Sequence, residues 1–183
     1  MLLALVERAK QGDEEAFAAV VRVVGDRCMF IALRILRDVD RAEDAVQAAF
    51  VSAWIELPTL RDLDRFEAWF HRILVNACYA EARRGRRWAA NVVLLETDAP
   101  AARDEYLTVH DRDQLDRGFR RLPPEQRAVL VFHHGLGLTL LEVADHLGIP
   151  VGTAKSRLFY ATAALRAALD ADDRAPISKE RLA

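Results

Sequence analysis

"LTLLEVADHLGIPVGTAKSRL" (138–158) holds two helix-like runs on either side of a Gly-Ile-Pro break. Val143, Ala144, Leu147, Ile149, Ala154 and Leu158 form one mutually facing apolar set. Ala144 is small where two helices must cross closely, and Gly148 stands where a tight turn needs a positive φ. Burying that set leaves Gly152, Thr153, Ser156 and Tyr160 on one exposed stripe, flanked by Lys155 and Arg157. A helix-turn-helix offers such a stripe of hydroxyls and basic groups to base edges and phosphates of a major groove. An ordinary αα-hairpin with a solvated polar face would carry the same pattern, so the rest of the chain has to decide.

Upstream, the periodicity predicts further helices. Asp13 can N-cap a helix through Glu14–Arg37, with Phe17, Val20, Val21, Val24, Cys28, Ile31 and Ile35 inward. Asp38 or Asp40 can cap the next, in which Ala42, Val46, Ala49, Ala53 and Leu57 share a face and Pro58 ends the run. A third helix is expected from Asp64 or Phe66, with Phe66, Trp69, Phe70, Ile73, Ala77 and Ala80 inward and Gly85 at its end. Residues 89–111 lose the periodicity and read as an acidic linker. It resumes near Arg112, and Pro124 suits the first turn of a helix to His134. The helix after Pro150 is expected to last to about Leu169, before a frayed tail. The fold class is therefore all-α, two small helical domains joined by a flexible linker.

The 183 residues, with eight glycines and six prolines, suit one ordinary domain or two small ones. No apolar run reaches the ~18 residues of a membrane span, so a cytoplasmic chain without membrane insertion is expected. Cys28 and Cys78 lie in apolar helical contexts and read as buried reduced thiols. The net charge of −2 argues against nucleic acid only as an average. "EARRGRRW" (81–88) holds four arginines against one glutamate, whereas Val92–Asp116 holds seven acids against Arg103 and Arg112. Segregated charge of this kind bears on partners more than the sum does.

Taken together, "GIPVGTAKSRL", "DRAEDAVQAAFVSAW" (40–54) and "FEAWFHRILVNACYAEARRGRR" (66–87) resemble a bacterial RNA polymerase sigma factor of the sigma-70 family, extracytoplasmic-function group. Three motifs in order, over nearly the whole chain, are far more specific than a helix-turn-helix alone. The resemblance implies sigma region 2 at 1–88, a linker at 89–111, region 4 at 112–170 and a flexible tail at 171–183. It implies binding to core RNA polymerase and promoter DNA, with an anti-sigma factor as a further family partner.

Residue by residue, it places Asp44, Gln47 and Phe50 on the helix that docks on the polymerase clamp. An acidic helix facing a basic one would supply steering and register. It places Thr59–Phe66, with Arg61, Asp62, Leu63 and Asp64, on the loop that receives an unstacked base, and Asn76 near the minus-ten element. Arg83, Arg84, Arg86 and Arg87 would hold phosphates there, a salt-dependent contribution without base specificity. Gly152, Thr153, Lys155, Ser156, Arg157 and Tyr160 would meet the minus-35 element. The family often has arginines where this chain has Tyr160 and Thr162, and a branched aliphatic where it has Ala154. Solvated helix faces remain the plainer reading of Asp44 and Asn76 taken singly, and Phe66 and Trp69 read as core side chains rather than base-stacking platforms.

No catalytic residues, no cofactor and no metal are expected. Glu67-x-x-x-His71 and Glu142-x-x-x-His146 each put a carboxylate and an imidazole one turn apart, but neither has the spacing of di-iron bundles. Surface or capping histidines are the expected reading, and His133-His134 point to different faces. A non-sigma regulator with a C-terminal helix-turn-helix is the rival that would need neither the docking helix nor the minus-ten motif.

Overall fold

The computed structural model describes residues 1–91 and 117–173, with side chains through Arg87 and again over 117–168, and every regular element there is helical. Four long elements form a first unit: α1 (Leu2–Lys10), α2 (Glu14–Leu36), α3 (Val39–Glu56) and α4 (Phe66–Asn91). The second unit holds a helical segment at 117–121, then α5 (Pro124–Leu130), α6 (Leu140–Leu147) and α7 (Val151–Asp173). Parts of the expected linker and tail lie outside the described residues.

Local chemistry sets the starts and stops. The Asp13 carboxylate accepts from the Ala16 amide at 2.9 Å, and Asp38 accepts from the Arg41 amide at 3.0 Å. Each satisfies an amide that the first helical turn leaves unpaired. Arg37, in a left-handed conformation at φ 60°, ends α2. Leu57 and Pro58 then tighten into a 3-10 turn, and a second such turn at Leu63–Arg65 leads into α4.

Several expectations need correction. α1 was not anticipated, although Leu2, Leu5, Val6 and Ala9 repeat at helical spacing. Gly85 does not end α4, which runs on to Asn91. Gly85 is buried instead beneath the Arg41 guanidinium, which occupies the space a Cβ would need. Ala80 faces solvent; the buried line of α4 is Phe66, Phe70, Leu74, Val75, Cys78 and Ala82. The segment after α5 widens into a π-type turn at Val131–Gly135 rather than staying α-helical to His134. α7 outlasts Leu169 and reaches Asp173.

The first unit closes over an aromatic ladder. Phe50 stacks on Phe70 at 5.2 Å, Phe70 on Phe66 at 5.8 Å, and Phe17 meets Trp54 at 4.9 Å. Cys28 and Cys78 are buried free thiols, as expected, and burial pushes both up to about 12.

The units also pack on each other: α4 lies against α6, and α2 against α5. One apolar cluster runs from Val6 through α2–α4 into Phe132, Val143, Leu147 and Ala154. Leu122, Leu130 and Ala161 make a small cluster of the second unit's own.

Candidate nucleic-acid interface

The helix-turn-helix is built as its sequence dictates. Thr139 and Glu142 form a reciprocal capping box at the start of α6, with the Thr139 amide donating to Glu142 Oε2 at 2.8 Å and the Glu142 amide to Thr139 Oγ1 at 3.3 Å. The Thr139 hydroxyl, which donates to Glu142 Oε2 at 2.7 Å, and then the Thr139 amide hold the Glu142 carboxyl below the usual range. Gly148 ends α6 at φ 63°, a value that favours glycine, and a Cβ there would also meet the Arg72 side chain. Val143, Ala144, Leu147 and Ala154 are buried at the crossing, while Ile149 and Leu158 are half-buried.

The expected reading stripe lies on α7. Gly152, Lys155, Ser156 and Tyr160 are exposed, and Thr153 is half-exposed. Arg157 differs from them. It is half-buried, and its guanidinium lies beside Tyr79 of α4, whose hydroxyl burial pushes above its ordinary value. In this arrangement one of the six candidate readers faces the first unit.

Asp44 and Gln47 are exposed on α3, with half-buried Phe50 beside them. Phe50 opens into a mostly apolar groove whose other walls are Phe17, Val51 and Trp54, with Glu14 at one side. The groove was not anticipated. Its signal was the pair Val51 and Ile55, apolar yet off the buried face of α3, and both are exposed.

The loop between α3 and α4 carries Arg61, Asp62 and Asp64 on its exposed side, with Leu63 half-buried. The Asp62 carboxylate accepts from the Asp64 amide at 3.0 Å and fixes the second 3-10 turn. Lys10 of α1 donates to the Leu60 carbonyl at 2.6 Å, so the unanticipated helix buttresses this loop. A cleft beside the loop is lined by Leu60, Arg61, Asp62, Trp69, Arg72 and Asp145. Phe66 is buried as expected of a core residue, whereas Trp69 is half-buried and forms one wall of that cleft. Asn76 is exposed on α4, as are Arg83, Arg84, Arg86 and Arg87. Arg84 pairs with Glu81 at 2.9 Å, but its side chain stays 76% exposed and can leave for a phosphate.

The histidines correct the sequence reading most. His71 is neither a surface nor a capping residue: it is 4% exposed, with its Nδ1 at 2.7 Å from Nδ1 of His146 across the two units. Burial first, then His146 and Arg27, push His71 down to about 3. Burial likewise lowers His146, against the opposing pull of Asp145, Glu67 and Glu142. No group of three or more metal-binding side chains occurs among the described residues.

Comparison with known proteins fits this geometry. Residues 20–88 match the family described as Sigma-70 region 2, and residues 112–165 match Sigma-70, region 4. The ECF RNA polymerase sigma factor SigM of Mycobacterium tuberculosis is 35% identical, over 86% of this chain and 85% of its own. SigW of Bacillus subtilis, likewise an ECF RNA polymerase sigma factor, is 26% identical over 91% of this chain and 95% of its own. Among solved structures, CnrH in complex with the cytosolic domain of CnrY superposes with a TM-score of 0.65 at 28% identity, covering 93% of this chain and 97% of that one.

Proposed function

The chain belongs to the extracytoplasmic-function group of the sigma-70 family of RNA polymerase sigma factors, and on that premise we propose that it recruits core polymerase to specific promoters and helps to open them. The observation that carries this reading is the pairing, in one chain, of a capped helix-turn-helix with an exposed acidic stripe on α3.

Each surface has a task suited to its chemistry. Asp44 and Gln47 supply charge and register for a basic helix of the polymerase, and the groove of Phe17, Phe50, Val51 and Trp54 takes that helix's apolar side chains. The Arg61–Asp64 loop offers backbone and carboxylate partners to an unstacked base, with Asn76 one helix face away. An amide can both donate to and accept from a base edge. Arg83, Arg84, Arg86 and Arg87 hold the adjoining phosphates. Gly152, Thr153, Lys155, Ser156 and Tyr160, joined by Arg157 once it leaves Tyr79, read the minus-35 element through the major groove. Region 2 spans 1–88 and region 4 spans 112–170 in this reading. The protein acts in the cytoplasm without catalytic residues or a cofactor of its own; no helix among the described residues is long and apolar enough to cross a membrane. An anti-sigma factor is a further partner in this reading, and the similar CnrH was solved in complex with the cytosolic domain of CnrY.

Run-off transcription with purified core polymerase, on the promoter upstream of the protein's own gene, tests the proposal. Addition of the protein should yield a discrete transcript, and Asp44→Arg with Gln47→Ala should abolish it while leaving helicity intact. A transcript of equal yield from that variant would remove the docking assignment, and none from the wild type would remove the function.

A further inference from the structure

His71 and His146 belong to different units, yet they make a buried polar contact between them. Nδ1 to Nδ1 is 2.7 Å, and the ring of Phe132 stands edge-on to both, at 5.2 Å from His71 and 6.0 Å from His146. Two Nδ1 atoms at that distance share one hydrogen, so one ring donates and the other must present a bare Nδ1. Around this contact, the 3-10 turn before α4 sends Arg65 to Asp145 of α6, and Arg72 of α4 covers Gly148. We propose that His71 and His146 form a proton-sensitive clasp that holds the two helical units closed and releases them on acidification.

The surroundings decide which proton breaks the clasp. His146 faces Asp145 and Glu142 from its own helix and Glu67 from α4, against Arg27 of α2, and a first proton on its outer nitrogen leaves it a competent donor. His71 faces His146 and, from α2, Arg27, and no carboxylate is among the groups acting on it. Phe132, from the π-type turn, gives it no acceptor. A proton on His71 Nδ1 therefore replaces the acceptor with a second donor, buried and facing a like charge. In the closed form His71 resists that proton down to about 3, whereas a free imidazole takes it up near 6.5. The closed form thus binds fewer protons than the open one. Closure is fully favoured above 6.5 and weakens as the pH falls below that value. One linked proton moves the closed-to-open ratio about tenfold between about pH 7.5 and about pH 5.5.

The consequence for function rests on the sigma-factor reading. Promoter elements named for positions ten and thirty-five lie roughly 80 Å apart at about 3.4 Å per base pair. Two units packed through α4 and α6 cannot reach both, and closure also holds Arg157 against Tyr79.

Spin labels on Ile55→Cys and Phe159→Cys, one on each unit, report the separation in the free full-length chain, since Cys28 and Cys78 are buried. The short-distance fraction should fall between about pH 7.5 and about pH 5.5, with the closed-to-open ratio dropping about tenfold and helical content unchanged. His71→Asn should abolish the pH step whichever state it rests in, whereas His146→Asn should shrink it, because burial alone still disfavours a proton on His71. An unchanged distance distribution in the labelled parent overturns the clasp outright. A step of equal size in folded His71→Asn overturns its assignment to these histidines. Neither measurement involves polymerase or DNA, so failure here leaves the sigma-factor reading standing, and failure of the run-off assay leaves the clasp standing.

Discussion

The two units differ in where their apolar side chains go. In the first, four helices enclose Val20, Ile31, Ile35, Leu57 and Leu74 together with the ladder of Phe66, Phe70 and Phe50. The second keeps only Leu122, Leu130 and Ala161, backed by Phe119 and Leu158, as a cluster of its own. Its larger apolar residues, Phe132, Val143 and Leu147, join the cluster that continues into α2 and α4. The smaller unit is thus completed by the larger one. Its contact surface nevertheless includes two imidazoles, an exposed ion pair and a guanidinium over a glycine. A face built only for permanent burial would have no need of such groups.

The largest expected effect tests this dependence. Phe132 is fully buried and touches both histidines, so Phe132→Ala should cost about 3–5 kcal/mol. The loss should concentrate in the second unit, with hydrogen exchange accelerating in α5–α7 while α2 and α3 stay protected. Acceleration shared equally by α2 would mean that the chain is one cooperative body and the comparison false.

Leu158 sharpens the same point at a smaller scale. It packs against both clusters and is only half-buried. Leu158→Ala should cost about 1–2 kcal/mol, less than the ~2–5 of a fully buried leucine. A denaturant titration showing the full-core figure would give the second unit a tighter core of its own than its burial indicates.

How much of this was legible depended on whether the determinant was local. Asp13, Asp38, Pro124 and Gly148 act within one turn of themselves, and each does what its residue type and position require. The buried face of α3 followed from spacing alone. Errors came where a distant side chain overrode a local signal. Gly85 reads as a helix stop until Arg41 is seen filling the space beside it. Ala80 fits the inward spacing only while α4 is treated as having one partner, whereas α2, α3, α5 and α6 all pack on it and shift its buried line. His71 and His146 sit 75 positions apart, and each taken singly resembles a surface residue. The segments matching the polymerase and promoter motifs were recognisable from residue types, but Arg157 beside Tyr79 required the packing of the units. α1 was as legible as these, since Leu2, Leu5, Val6 and Ala9 repeat at helical spacing.

A third prediction isolates a feature that belongs to the second unit alone. Thr139→Ala removes one half of the capping box while touching nothing in the first unit. It should cost about 1 kcal/mol, within the ~0.5–2 found for caps, by leaving the Glu142 amide unpaired. The Glu142 carboxyl also loses the hydroxyl bond that depresses it most, while the backbone amide bond remains, so its titration should move part of the way up toward the ordinary carboxylate value. The carboxyl chemical shift followed against pH checks both the direction and the cause.

The smallest effect is expected where the two units meet in solvent. Arg65 and Asp145 pair across the interface, but their side chains are 59% and 47% exposed. Water screens such a pair, and holding two mobile side chains in register costs entropy, so Arg65→Ala should change the closing equilibrium by only about 0–1 kcal/mol. Salt should erase most of even that, because the charges lie within reach of mobile ions. The buried histidine contact should respond far less to salt than to protons. Measuring the closed fraction of Arg65→Ala and its parent at low and high ionic strength separates the two contributions. If Arg65→Ala opens the units fully and erases their response to pH, the interface is held from its rim, and the imidazoles are passengers in it.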